Sequence, residues 1–171
     1  MCHVVILTPI QKKTLENIKK WLIELDIFEF QEIQNEVNAF TIDIRPKSKP
    51  SVYPIQIISS KQKDDEIMLM WLWGFVEQDR NSLRMIDMNV KKKFESDLKY
   101  GLESLGLPLR FYESIEDIKG IWTENYINVD ELSKERLLKV ITQLGDAATL
   151  IGQKFEKYFP LPPDFDPSFH V

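Results

Sequence analysis

The sequence predicts an α+β fold: an antiparallel sheet of about five to six strands with helices packed mainly on one face, in the order α-β-β-β-β-α-β-β-α. Strict apolar–polar alternation in Phe40-Thr41-Ile42-Asp43-Ile44 is the clearest strand signature. The run Glu66 to Phe75 is apolar on both faces and holds two of the four tryptophans, which places it in the middle of a sheet. Amphipathic stripes of helical period frame the strands at either end of the chain.

At 171 residues, 43% hydrophobic and 29% charged, the chain can bury a core and has the size of one domain. Its net charge of −5 works against a nucleic-acid partner, whose phosphates call for a basic face. The single cysteine, Cys2, excludes an internal disulfide and suits a reducing compartment. The N-terminus lacks the charged n-region of a secretory signal, and no run reaches the length of a transmembrane helix. The expected location is cytoplasmic, with no membrane contact.

In chain order, residues 1–13 read as an N-terminal arm or short edge strand, 14–159 as a single α+β domain, and 160–171 as an extended proline-rich tail. The first helix starts at Pro9 or Thr14 and buries Leu15, Ile18, Trp21, Leu22 and Leu25. Strands follow at Phe28-Glu29-Phe30-Gln31, at Phe40 to Ile44, and at Tyr53 to Ser60, with Pro46 to Ser51 as a break. Lys61 to Asp65 form the turn into the tryptophan strand. A short helical segment over Glu77–Ile86 precedes a helix capped by Asn89 that carries Phe94, Leu98, Leu102 and Leu105. Leu109 to Tyr112 and Ile118 to Val129 are the last strands. Ser133 caps a final helix with the stripe Leu137, Ile141, Leu144, Ala148, Ile151, Phe155 and Phe159.

Register divides the tryptophan strand. If Ser60 pairs with Glu66, Leu69, Trp71 and Trp73 share a face with Ile55, Ile57, Phe40, Ile42 and Ile44, and the helices cover it. Met68, Met70 and Leu72 then share the other face with Ile58 and the polar Thr41, Asp43 and Arg45. A bulge would exchange the two faces and bring Leu69, Trp71 and Trp73 outward.

The helix–strands–helix–strands–helix order over Thr14 to Phe159 resembles the type III secretion chaperone-like (YbjN-like) fold and, more narrowly, an uncharacterised archaeal family with that fold. The strand Phe40-Thr41-Ile42-Asp43-Ile44, the hairpin into Ile67–Phe75, and the helix entry Leu132-Ser133-Lys134-Glu135-Arg136 carry the resemblance. It implies a homodimer that presents apolar grooves to an unfolded or extended client. It supplies no catalytic or binding residues.

Chemistry finds little support in the residues. His3 and His170 are the only histidines, and both lie near chain ends, so neither a triad nor a zinc site is expected. Asp64-Asp65-Glu66 lacks calcium-loop spacing and reads as a turn. Lys91-Lys92-Lys93 reads as a solvated helix face. Gly145, Ala148 and Gly152 make one side of the last helix small, for packing on the sheet or against a second copy. The expectation is a non-enzymatic, protein-binding or chaperone-like homodimer without cofactor or metal. Its partner-binding residues are Ile58, Met68, Met70 and Leu72, on a face that methionine makes adaptable. Val4, Ile6, Phe165 and Phe169 could cover that face instead. The alternative is a ligand-binding protein or enzyme with a pocket near Trp71, Trp73 and Trp122, and Arg84 or Arg110 as anion anchor.

Overall fold

In a computed structural model, residues 6–34, 36–49 and 53–159 are described. The elements are α1 (Pro9–Leu25), β1 (Phe28–Ile33), β2 (Asn38–Pro46), β3 (Ile55–Ser60), β4 (Lys63–Gly74), α2 (Glu77–Arg84), α3 (Met88–Ser104), β5 (Arg110–Glu113), β6 (Ile118–Asn128), a 3₁₀ turn (Val129–Glu131) and α4 (Lys134–Tyr158). The six strands form one antiparallel sheet in the order β1-β2-β3-β4-β6-β5, so β4 is an interior strand. The α+β class follows the expectation, and so does the element order, except that two helices, α2 and α3, stand between β4 and β5 where the order counted one. Two compact units divide the chain, one taking Met1–Met70 and Asn125–Thr142, the other Trp71–Glu124 and Gln143–Val171.

In the first unit, α1 begins at Pro9, the earlier of the two expected starts. Thr8 caps it reciprocally: its Oγ1 accepts from Gln11 N at 3.2 Å, and Gln11 Oε1 accepts from Thr8 N at 3.0 Å. Gln11 Nε2 also donates to the Ser60 carbonyl at 2.9 Å, pinning the helix start to the end of β3. Leu15, Ile18 and Leu22 form the buried stripe. Asp26 ends the helix in the left-handed region, at φ 51.

Strands β1 and β2 pair without interruption from Phe28↔Pro46 to Ile33↔Thr41. Between β2 and β3, a shift at Asn38/Phe40 lets Ala39 bulge, after which Ile42 faces Ile57 and Ile44 faces Ile55. The β3–β4 turn is tighter than predicted. It occupies Lys61–Gln62, and β4 already starts at Lys63. Asp64-Asp65-Glu66 therefore lies in a strand, not in a turn, with Lys63 Nζ donating to Glu66 Oε1 at 3.0 Å.

Aromatic side chains fill the second unit. Trp73 packs on Phe155 with centroids 4.7 Å apart, Phe75 stacks on Phe155 at 5.1 Å, and Phe94 meets Phe159 edge-on at 4.7 Å. Such offset and edge-on pairs add to the area they bury. Helices α3 and α4 approach closely where Gly101 faces Leu150: a Cβ at Gly101 would lie 2.7 Å from Leu150 Cδ2. Among the described residues, nothing lies within 4 Å of such an atom at Gly145 or Gly152, so the small side of α4 does not pack on the described sheet at those positions. The α3 cap is Asp87, not Asn89; its Oδ1 accepts from Asn89 N at 2.8 Å. Lys91 also departs from the solvated face predicted for it. It sits on the buried stripe with Phe94, Leu98 and Leu102, only 2% exposed, and its Nζ donates to the Glu116 carbonyl at 2.9 Å. A long aliphatic stem allows this, provided the ammonium finds an acceptor.

Candidate functional site

Along β4 the side chains alternate between two environments because successive Cβ atoms point to opposite faces. Ile67, Leu69, Trp71 and Trp73 are buried. Met68 and Met70 are only half-buried, and Leu72 is 39% exposed. In β3, Ile55, Ile57 and Ser59 are buried while Gln56 and Ile58 are half-buried. The predicted division of faces is thus the one observed, and the exchanged arrangement with Leu69, Trp71 and Trp73 outward is not.

In the first unit, the open face combines Ile58, Met68 and Met70 with a polar border. Ile58 pairs with Thr41, and Gln56 with Asp43. Gln56 Nε2 donates to Asp43 Oδ1 at 2.9 Å, and Asn38 Nδ2 donates to Thr41 Oγ1 at 3.2 Å. Tyr126 of β6 is 48% exposed. Of the chain segments considered as a cover, Ile6 is 89% exposed and so does not serve; Val4, Phe165 and Phe169 lie outside the described residues.

Within the second unit, Leu72 lies over Gly120: a Cβ at Gly120 would be 3.6 Å from Leu72 Cδ1 and 2.9 Å from the Trp73 carbonyl oxygen. Glycine is needed here because a backbone atom occupies the position a side chain would take. Gly120 shares its strand parity with Trp122, which stands opposite Arg110, while Tyr112 stands opposite Gly120. The Tyr112 and Trp122 rings are 6.4 Å apart, and Trp122 Nε1 donates to Glu124 Oε2 at 2.7 Å. Sequence reasoning did not single out the Tyr112–Trp122 pair of the second unit. The alternation of the half-buried Trp122 and Glu124 with the buried Ile121 and Thr123 carried the signal.

The described residues place Trp73 and Trp122 of the alternative reading on different faces. Trp73 turns to Phe155 on the buried side of its strand, whereas Trp122 lies on the parity of Gly120 and Leu72. Both arginines of the alternative reading are engaged in ion pairs. Arg84 holds Asp117 through Nε at 2.9 Å and Nη2 at 3.1 Å, and Arg110 lies 3.5 Å from Glu124.

The carboxylates with displaced titration are those held by donors. Arg84 holds Asp117 below the usual range, Lys134 does so for Glu24, and Lys47 for Asp26. Asp97 accepts from Lys154 Nζ at 3.0 Å, Tyr158 Oη at 2.9 Å and Lys157 Nζ at 3.3 Å, and is lowered to about 2. Stabilised anions of this kind tie elements together; a proton-transfer group would sit closer to neutrality. Among the described residues, no group of three or more His, Cys, Asp or Glu is placed to hold a metal ion. Cys2, His3 and His170 lie outside the described residues. No described helix is long and apolar enough to cross a membrane.

A crystal structure of an uncharacterized protein from Methanothermobacter thermautotrophicus is similar to this chain, with a TM-score of 0.71 at 23% identity, covering 85% of this chain and 99% of that one. That likeness concerns the fold. YbjN from E. coli is a more distant neighbour, at TM-score 0.48 and 10% identity over 86% of this chain and 96% of its own. No functionally curated protein matches. A family model described as "Uncharacterized conserved protein (DUF2299)" matches residues 14–155.

Proposed function

We propose that this chain, which belongs to the DUF2299 family of uncharacterised conserved proteins, is a protein-binding, chaperone-like module of the cytoplasm that works as a homodimer. The open sheet face around Ile58, Met68, Met70 and Leu72 takes an apolar segment of a client. The observation that carries this reading is the alternation in β4, where one side is sealed in the core and the other leaves two methionines half-buried and Leu72 39% exposed. Unbranched, polarizable thioethers adapt to different apolar shapes, which suits a surface that receives varied segments. Asp43 and Gln56, joined by a hydrogen bond, border the apolar strip. A net charge of −5 also favours a protein partner over nucleic acid.

The test uses aggregation of a denatured model protein, followed by light scattering. The wild-type chain suppresses the aggregation, and Met70→Asp loses most of that suppression while its circular dichroism stays unchanged. A wild-type chain without effect, or a Met70→Asp variant as effective as wild type, sinks the reading.

A further inference from the structure

The sheet ends in two dissimilar edges, β1 and β5. Edge strands carry unpaired backbone groups and are commonly shortened, bulged or kinked to prevent pairing. Strand β5 is treated in this way: it has four residues, its register shifts at Tyr112/Glu113, and Glu113 sits at φ 75. Strand β1 has six residues, pairs with β2 without a shift, and contains neither proline nor glycine.

Among the described residues, the backbone groups of β1 that turn away from β2 can be assigned. Lys47 N–H donates to the Ile27 carbonyl at 3.0 Å, which sets the phase of the ladder. Ile27, Glu29, Gln31 and Ile33 bond toward β2, and the intervening Phe28, Phe30 and Glu32 turn their N–H and C=O groups away from it. Pro46, which has no N–H to give, stands opposite Phe28 in agreement with this phase. Apolar side chains lie along the edge, between the exposed Glu29, Gln31 and Glu32. Phe28 and Phe30 are half-buried, Ile27 is 51% exposed, and Ile23 is 65% exposed. Ile23 lies one turn after Lys19, whose ammonium pairs with Glu32 on this strand.

We propose that β1 pairs with β1 of a second copy about a two-fold axis centred on Phe30, joining two sheets into one. Antiparallel pairing opposes residues on the same face, so a two-fold register must be centred on a residue. Centring on Glu29 or Glu32 sets that carboxylate against its own copy. Centring on Gln31 brings Phe30 opposite Glu32 and leaves the outward groups of Phe28 without a strand residue to meet. Centring on Phe30 satisfies the whole edge. Phe30 exchanges both hydrogen bonds with its copy, Phe28 does so with Glu32 of the second copy, Glu29 meets Gln31, and Ile27 meets Ile33. This inference takes only the number of copies from the proposed function, and it leaves the open face free for a client.

Light scattering at micromolar concentration should give the dimer mass for wild type and the monomer mass for Phe30→Glu, with circular dichroism unchanged. In a Cys2→Ser background, Glu29→Cys combined with Gln31→Cys should form disulfide-linked dimers on mild oxidation, because a non-hydrogen-bonded pair lies within bridging distance. A monomeric wild type overturns the proposal, and so does a cysteine pair that fails to cross-link. A dimer dissociated by Met70→Asp but not by Phe30→Glu would also overturn it, moving the interface to the open face. Suppression of aggregation is read separately, so the client-binding proposal can stand or fall independently.

Discussion

Leu69 and Met70 are neighbours on β4, yet one is fully buried and the other half-exposed. Both are large, apolar and flexible enough to suit a core. The contrast between them shows that hydrophobicity alone does not assign a face; the two-residue period of the strand does, once one side has been committed to the helices. The committed side is buried, with Trp73 held against Phe155 at 4.7 Å. The other side keeps Met68, Met70 and Leu72 at partial exposure beside hydrogen-bonded polar groups.

Substitutions on the two faces should therefore differ in kind. Leu69→Ala removes a 0% exposed side chain and should cost about 2–5 kcal/mol in denaturant unfolding, the range for a cavity in a packed core. Met70→Asp, one residue away, should cost about 1 kcal/mol or less in the same measurement, while removing most of the aggregation suppression. Equal losses of stability would erase the distinction between the faces. Gly120→Ala tests the point at which the open face is closest to solid. The added Cβ would lie 2.9 Å from the Trp73 carbonyl oxygen, a backbone atom that cannot swing aside, and the expected cost is about 1–3 kcal/mol by thermal denaturation.

The smallest effect concerns the helices behind the closed face. Asp97 of α3 is held by Lys154, Tyr158 and Lys157 of α4, and its carboxyl falls from 3.8 to about 2. A carboxyl depressed in the folded state contributes stability that is complete above the unfolded value and lost as pH falls from about 3.8 toward 2. Melting temperature followed across that window should fall less steeply for Asp97→Asn than for wild type. Parallel slopes would mean that the clamp contributes nothing to the pairing of α3 with α4.

Much of the fold was legible because periodicity is a local property. Phe40, Ile42 and Ile44 alternate with polar neighbours, and Leu15, Ile18 and Leu22 repeat at helical steps, so both strand and helix could be read from short windows. The burial split along β4 followed from the same parity, and with it the exposure of Met68, Met70 and Leu72. Turn lengths and caps were less accessible. The β3–β4 connection closes at Lys61–Gln62, although Asp64 and Asp65 are good turn formers, because strand pairing outweighs the local preference of either residue. Asp87 and Asn89 are both competent caps, and only the path of the chain into α3 selected Asp87.

The sequence by itself determined which residues are apolar, at what period, and hence which would share a face. Tertiary structure decided what stands opposite each face and edge. It set Lys91 in the buried stripe because a carbonyl at Glu116 receives its ammonium. It placed Trp122 away from Trp73, kept Gly145 and Gly152 clear of the sheet, and left β1 as an uninterrupted edge. None of these follows from a local pattern, because each depends on a partner far along the chain whose position is fixed only when the sheet and helices have assembled.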